Sequence, residues 1–149
     1  MKIGIGCDHG GFDMKEQLKE RLLAEGYEIA DQGCYTSDEV DYPKAAGNLA
    51  TGILAAQYEC GILVCGTGIG MSIAANKIHG IRAALVSDVY SARMAKAHNN
   101  ANIITLGART LGIELAYELV IAYLSETFLG GKHQKRVEMI RDIENSKKL

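Results

Sequence analysis

Apolar residues along the chain alternate between short continuous runs and segments in which they recur every three or four positions. A short run bounded by glycine or polar residues is typical of a buried strand. Five such runs predict strands over residues 2–6, 27–30, 61–64, 82–86 and 103–106. The longer segments between these runs are expected to hold helices.

Each helical segment has one apolar face. Met14, Leu18 and Leu22 recur every four residues among lysines and glutamates, which predicts a first helix ending at Gly26. Pro43 suits the first turn of a second helix, where its missing N–H is not needed. The buried face of this second helix is predicted to hold Ala46, Leu49, Ala50, Ile53 and Leu54. Two shorter helices are predicted over 70–77 and 88–97, and Leu115, Leu119 and Val120 mark a long helix. A last helix is predicted over 133–146, with Val137, Ile140 and Ile143 on one side.

This alternation of strands and helices predicts right-handed crossovers and a mainly parallel sheet covered on both faces. The 149 residues contain no internal repeat, low-complexity tract or linker. Their number is typical of one domain that can bury a real core. The chain is therefore expected to form a single α/β domain over residues 1–149.

Composition and charge narrow the classes of function. A formal net charge of −2 gives no general electrostatic attraction to nucleic acid or to an anionic membrane. The apolar stretch at the N-terminus breaks at Gly4, Gly6 and Asp8, too early for a signal peptide, and no run approaches the roughly 18 apolar residues of a membrane span. The four cysteines, at positions 7, 34, 60 and 65, fit neither a disulfide framework nor a paired metal site. Reduced thiols and a cytoplasmic location are expected.

Polar residues follow three of the predicted strands, at positions 7–9, 65–70 and 87–88. In open α/β sheets, ligands bind beyond the carboxyl ends of the strands, so these segments are the candidates for a site. The polar segment 97–102 instead precedes the fifth strand, which places it at the opposite edge. Its His98 and Asn99 would reach the site only from another subunit or by an unusual excursion of the chain.

Three glycines, Gly66, Gly68 and Gly70, alternate with other residues in the segment after the third strand. Such a turn lets backbone N–H groups approach an anion at a helix N-terminus. Met71 stands where a dinucleotide-binding loop needs glycine, but Asp88 lies where a ribose-binding acid would, so nucleotide binding stays an alternative. A second alternative is a tight turn that binds no ligand and needs glycine only for its backbone conformation.

Cys65 stands directly before this turn, where the positive end of the following helix favours a reactive thiolate. Thr67 could hydrogen-bond to the thiol or to a substrate. The alternative is that Cys65 is a buried cysteine that contributes only to packing. Cys34 and Cys60 are expected either to pack in this way or to lie in a loop without a chemical role. Asp8 and His9 could bind sugar hydroxyls, contact phosphate or move a proton, or Asp8 could simply cap the next helix.

Basic residues could form a phosphate clamp. Lys132 and Arg136 are four apart and would project from one face of a helix, and Arg109 follows the fifth strand. Scattered surface charge is the alternative. His133 lies within the basic cluster and is expected to be solvated, while His79 is expected in a surface turn.

Six motifs, taken in order, resemble the ribose-5-phosphate isomerase B family, which also includes the galactose-6-phosphate isomerase subunits. They are CDHGGF at 7–12, DYP at 41–43, CGTGIGMSIAANK at 65–77, GIRAAL at 80–85, AHNNANI at 97–103 and GGKHQKRVEMI at 130–140. The resemblance implies a Rossmann-like three-layer α/β/α fold with a five-stranded parallel sheet. It implies interconversion of ribose 5-phosphate and ribulose 5-phosphate without metal or cofactor. It also implies a homodimer, often further assembled into a tetramer, with shared active sites and a last helix packed on the partner subunit.

The resemblance also implies roles for individual residues. Cys65 matches the base, Thr67 the residue that assists it, and His98 the acid that opens the sugar ring. The other matches are to the enediolate-binding loop (Gly66, Gly68, Ile69 and Gly70), to substrate contacts (Asp8, Tyr42 and Asn99) and to phosphate contacts (His9, Arg109, Lys132 and Arg136). Many members have arginine where this chain has Lys132, and lysine loses the bidentate geometry, so phosphate affinity or substrate preference could differ.

Two further functions remain as alternatives. An isomerase of a six-carbon sugar phosphate, allose 6-phosphate or galactose 6-phosphate, would have the same reacting groups. A catalytically silent sugar-phosphate-binding subunit would need neither Cys65 nor His98, and this chain has both.

Overall fold

The computed structural model describes residues 1–36, 38 and 40–146. A single 3₁₀ turn, His9–Gly11, follows the first strand. The strands are β1 (Lys2–Cys7), β2 (Glu28–Asp31), β3 (Cys60–Cys65), β4 (Ala83–Leu85) and β5 (Ile103–Gly107). The helices are α1 (Phe12–Ala24), α2 (Tyr42–Leu54), α3 (Ile69–Ala75), α4 (Val89–Ala97), α5 (Ile113–Leu124) and α6 (Lys132–Asn145).

The five strands form one parallel sheet in the order β2-β1-β3-β5-β4. From β1 the chain moves to one side of the sheet for β2, and from β3 it moves to the other side for β4 and β5. The direction therefore reverses between β1 and β3, where Cys7 pairs with Val64. The carboxyl ends of strands at such a reversal face the crevice in which open α/β sheets bind ligands.

Helices cover both faces of the sheet. Ile62 and Val64 of β3 join a buried cluster that includes α1, α4 and α5. Leu63 and Cys65, which alternate with them, join a second cluster with α2 and α3. Because side chains alternate along a strand, one strand contributes to two cores. The predicted three-layer fold with a five-stranded parallel sheet is confirmed.

Helix α2 lies very close to the sheet. Leu49 is fully buried, and a methyl group on Gly61 would collide with its Cδ2 atom. The Tyr58 hydroxyl donates to the Leu49 carbonyl at 2.8 Å, which ties the segment that follows α2 to the middle of the helix. Burial of one leucine is worth about 1.5–3 kcal/mol. This packing fixes α2, whose first residue, Tyr42, lies at the candidate site.

All five predicted strands and six predicted helices are present, with bounds that differ by one or two residues. The prediction that Leu54 lies on the buried face of α2 was wrong. Leu54 is 53% exposed because it is the last residue of α2, beyond the cover of the sheet. Leu115, which marks α5, is exposed because it lies beside the buried stripe of that helix. Ile140 and Ile143 are also exposed, so their face of α6 does not join the core of this chain.

Candidate active site

The centre of the candidate site is Cys65, the last residue of β3. Its side chain is buried, and its Sγ atom accepts a hydrogen bond from the Gly68 N–H at 3.0 Å. Gly68 has a φ of 76° and caps α3, which turns its N–H back towards the sulfur. The Thr105 hydroxyl holds the same residue by donating to the Gly68 carbonyl at 2.9 Å. The turn therefore directs a backbone N–H donor at the sulfur.

The turn between β3 and α3 presents further backbone donors. The N–H groups of Gly66 and Thr67 donate to no acceptor in residues 1–36, 38 and 40–146. Thr67 is exposed, and its Oγ1 atom accepts from the Ile69 N–H at 3.3 Å. The turn therefore has N–H groups available for an anion, next to a sulfur and a hydroxyl.

Asp8 follows β1 at the same edge and is buried. Its Oδ1 atom accepts from the Gly11 N–H at 3.1 Å, so the capping role that the sequence left open is present. Gly10 lies against the glycine turn, since a methyl group there would be 3.4 Å from the Gly66 nitrogen. His9 is exposed beside it. The ends of β1 and β3 thus place a carboxylate, an imidazole and the turn together.

Arg109 and Tyr42 flank the glycine turn. A methyl group on Gly66 would lie 3.5 Å from Arg109 Nε, and the Arg109 N–H donates to the Gly66 carbonyl at 2.9 Å. A methyl group on Gly70 would lie 2.9 Å from the Tyr42 ring. The glycines at these two positions therefore let a guanidinium and an aromatic ring approach the backbone of the turn.

His98, Asn99, Lys132 and Arg136 form a second group, away from Cys65. His98 caps the C-terminal end of α4, which runs back against the strands, so the residue lies near the start of β5. At that edge the Asn102 N–H donates to the Arg82 carbonyl at 3.1 Å, just before β4. The structure thus places the predicted site residues in two groups at opposite edges of the sheet, as the order of the segments indicated for His98 and Asn99. It separates Arg109, which lies beside Gly66, from Lys132 and Arg136, which lie around His133, so one chain alone does not bring the three predicted clamp cations together.

The prediction that His133 is solvated was wrong. His133 is 8% exposed, and its ring stacks on His98 with the centroids 4.0 Å apart and the planes 9° from parallel. Burial lowers the pKa of the His133 imidazole, and the positive charges of His98, Lys132 and Arg136 lower it further. A histidine within a run of basic residues gives no local signal of burial, so the sequence missed this contact.

A buried ion cluster behind the site was also missed. Lys15 is fully buried in α1, and its ammonium donates to both carboxylate oxygens of Asp31, at 3.0 and 2.9 Å, and to the Cys34 carbonyl at 2.8 Å. Burial acts to lower the pKa of Lys15, but hydrogen bonds to Glu16 and Asp31 outweigh it and raise the pKa. The cluster holds the segment after β2 against β1, where Cys7 Sγ lies 3.5 Å from Cys34 Sγ. Burial raises the pKa of Cys7 to about 12, so this thiol is expected to stay protonated.

Neither a metal centre nor a membrane span is formed by the described part of the chain. In residues 1–36, 38 and 40–146, no three or more His, Cys, Asp or Glu side chains are grouped so that they could hold a metal ion. No helix in those residues has the length and apolar character needed to cross a membrane. All four cysteines are free thiols.

Comparisons with known proteins identify relatives that span nearly the whole chain. The family model described as Ribose/Galactose Isomerase matches residues 3–140. The chain is 45% identical to ribose-5-phosphate isomerase B of Escherichia coli K12 over 96% of both chains. It is 42% identical to D-erythrulose-4-phosphate isomerase of Pectobacterium atrosepticum, over 99% of this chain and 98% of that protein.

A solved structure extends the likeness to the whole fold. The crystal structure of ribose-5-phosphate isomerase B from Mycoplasma genitalium with bound ribulose 5-phosphate superposes with a TM-score of 0.92, at 35% identity over 97% of both chains. The family match and these relatives each span nearly the whole chain. The chain therefore belongs to the ribose/galactose isomerase family.

Proposed function

We propose that this chain is an aldose–ketose isomerase that interconverts ribose 5-phosphate and ribulose 5-phosphate through an enediolate. The observation that supports it most is the Cys65 sulfur, which accepts the Gly68 N–H at 3.0 Å beside a turn whose Gly66 and Thr67 N–H groups have no acceptor in the described part of the chain. A base and an oxyanion site side by side are what proton transfer next to a carbonyl requires. The names of the relatives in E. coli and M. genitalium support ribose 5-phosphate as the substrate.

In this proposal the Cys65 thiolate removes the proton from C2 of the open-chain aldose. The electron pair of the broken C–H bond forms the C1–C2 double bond of the enediolate, and the carbonyl oxygen O1 takes the negative charge. Cys65 then returns the proton to C1, while a proton moves from O2 to O1, with Thr67 assisting. N–H donors on such an oxygen are worth about 2.7–4 kcal/mol each to the transition state. Aldose and ketose are isomers, so the step needs no redox cofactor, and we propose none and no metal.

The remaining candidate residues bind the substrate. Asp8 and Asn99 are proposed to contact sugar oxygens, and Tyr42 packs beside Gly70 along the turn with Ile69. The phosphate is proposed to lie among the cations of His9 and Arg109 and of Lys132 and Arg136, the last two supplied by a second copy of the chain. Contacts at that end of the substrate hold the reacting carbons in place without taking part in the chemistry.

A homodimer is proposed because the two groups of residues lie at opposite edges of one sheet. His98 and Asn99 would then enter the site of the other copy, where His98 opens the furanose ring. Helix α6 has only one buried residue, and its Met139, Ile140 and Ile143 are exposed, which supports packing of this helix on a partner subunit. A tetramer would extend the same assembly. The free thiols support a reducing compartment, and the cytoplasm is proposed as the location.

The test is an isomerase assay of the purified chain together with one matched pair of variants. Cys65→Ser is expected to lower kcat by at least about a hundredfold, because the proton-transfer group is lost. Cys60→Ser is the control, since Cys60 is a buried cysteine at the other end of the same strand. Activity of Cys65→Ser close to that of the Cys60→Ser control would overturn the assignment of the base.

The substrate has two kinds of competitor. The relative from P. atrosepticum is named for a four-carbon sugar phosphate, and so supports a test of D-erythrulose 4-phosphate. Allose 6-phosphate and galactose 6-phosphate represent the six-carbon alternative. Comparison of kcat/KM for all four sugars decides among them, and no turnover of any would favour a silent sugar-phosphate-binding subunit.

A further inference from the structure

The side-chain torsions of His98 do not by themselves fix the orientation of its ring. The χ2 torsion of histidine is broad and roughly two-fold, so a contact is needed to hold the ring plane. His98 ends α4, and its side chain makes no hydrogen bond within residues 1–36, 38 and 40–146. The contact that the structure provides is the stack on His133, 4.0 Å between centroids and 9° between planes.

The chain brings His133 to His98 by a specific local path. The Leu129 N–H donates to the Ala97 carbonyl at 3.0 Å, which ties the segment before α6 to the end of α4. Gly130 and Gly131 then have φ values of 63° and 55°, in the left-handed region that glycine tolerates. The His133 N–H donates to the Gly130 carbonyl at 3.0 Å. This turn starts α6 so that its second residue covers the imidazole of His98.

The surroundings of His133 favour the neutral form of its imidazole. Lys132 and Arg136 add positive charge from α6, and burial of His133 disfavours its charged form. His133 therefore presents a neutral ring to the face of His98.

We propose that His133 is a positioning residue for ring opening: its stacked ring fixes the plane of the His98 imidazole, so that an imidazole nitrogen of His98 points at the ring oxygen of the bound sugar. This inference rests on the proposed function, in which His98 is the ring-opening acid. His133 acts through His98 and needs no contact with the substrate.

The test separates ring opening from proton transfer. Ribose 5-phosphate is mainly cyclic, whereas ribulose 5-phosphate is open-chain, and exchange of its C1 hydrogen with D₂O needs only Cys65 and the turn. His133→Ala is expected to lower kcat on ribose 5-phosphate by about ten- to a hundredfold, the usual effect of a misplaced reacting group. KM and the D₂O exchange rate are expected to stay within about twofold, because phosphate contacts and the base are unchanged.

Two more variants sharpen the result. His133→Phe keeps a flat ring and is expected to recover kcat to within about threefold of the wild type, because the stack remains. The ring-current shift of the His98 imidazole in NMR should disappear in the alanine variant and persist in the phenylalanine variant. His79→Ala is the control, since His79 is exposed and bonds Asn145 at the other end of α6.

The outcomes separate this inference from the proposed function. A wild type without isomerase activity overturns both. An active wild type with an unchanged His133→Ala, or with equal losses of turnover and D₂O exchange in that variant, overturns the role of His133 alone. Selective loss of ribose 5-phosphate turnover, with recovery in His133→Phe, supports it.

Discussion

Substitution of Gly68 by alanine tests how the glycine turn is built. The residue has a φ of 76°, and alanine in this region costs about 1–2 kcal/mol. A methyl group would also lie 2.5 Å from Leu85 Cδ1 and 3.0 Å from the Leu106 carbonyl carbon. The leucine side chain can move, but the β5 backbone cannot, and overpacking of this kind costs about 1–3 kcal/mol. The total expected loss in free energy of unfolding is therefore about 2–5 kcal/mol.

The two contributions can be measured separately. Gly26 has a φ of 85°, and a methyl group there would have no heavy atom within 4 Å, so Gly26→Ala reports the backbone cost alone. Gly112 has an ordinary φ of −78° and equally open space, so Gly112→Ala is expected to change stability by less than about 0.5 kcal/mol. Urea unfolding of the three variants, followed by circular dichroism, gives the comparison.

The same substitution should also affect activity. A shift of residue 68 moves the N–H that bonds Cys65 Sγ and the carbonyl that accepts from Thr105. We expect kcat to fall by about a hundredfold in the folded Gly68→Ala enzyme, because an N–H donor to the sulfur is displaced. If Gly68→Ala loses no more stability than Gly26→Ala, the steric reasoning is refuted. If its kcat is unchanged, the turn does not support the thiolate.

Three further predictions concern packing and charge. Leu49→Ala should lose about 2–5 kcal/mol of unfolding free energy in urea titrations, because Leu49 is fully buried. The exposed Leu54 is the control, and Leu54→Ala should lose less than about 0.5 kcal/mol. Equal losses in the two variants would contradict the assigned core. Lys15→Met should destabilise clearly more than Lys19→Met, because Lys15 is fully buried and Lys19 is partly solvated; the reverse order in thermal melts would refute this. Because the pKa of His133 is lowered on folding, the unfolded chain binds more protons, so stability should fall as pH drops below about 6.5. His133→Gln should show a smaller loss between pH 7.5 and 5, and an unchanged pH dependence would show that His133 is not its source.

The sequence predicted most of the fold because its patterns are strong. The run 61–64 has no polar residue, and Met14, Leu18 and Leu22 recur at helical spacing, so the type of each element was clear. The order of polar segments along the chain also predicted that His98 lies away from Cys65, since it depends only on which end of a parallel strand a segment adjoins. The error at Leu54 concerns the end of a helix, where the periodic pattern continues past the cover of the sheet.

The contacts that the sequence missed are formed between distant segments. His133 is 35 positions from His98, and the two meet only because of the turn at Gly130 and Gly131. Lys15 resembled the solvated lysines of an amphipathic helix, yet it is buried because Asp31 and the Cys34 carbonyl provide its partners. A polar residue can be buried wherever a partner exists, and partners are properties of the tertiary structure.

The placement of Cys65 and His98 at opposite edges of one sheet has a genetic consequence. In a dimer with shared sites, a Cys65→Ala chain and a His98→Asn chain would each be inactive alone, yet a mixed dimer would contain one site with both defects and one site with none. Random reassembly of equal amounts would form mixed dimers half of the time, and so restore about a quarter of the wild-type activity. Two damaged alleles expressed together could thus support growth where neither does alone, and dilution that separates the subunits would abolish the activity of even an undamaged chain.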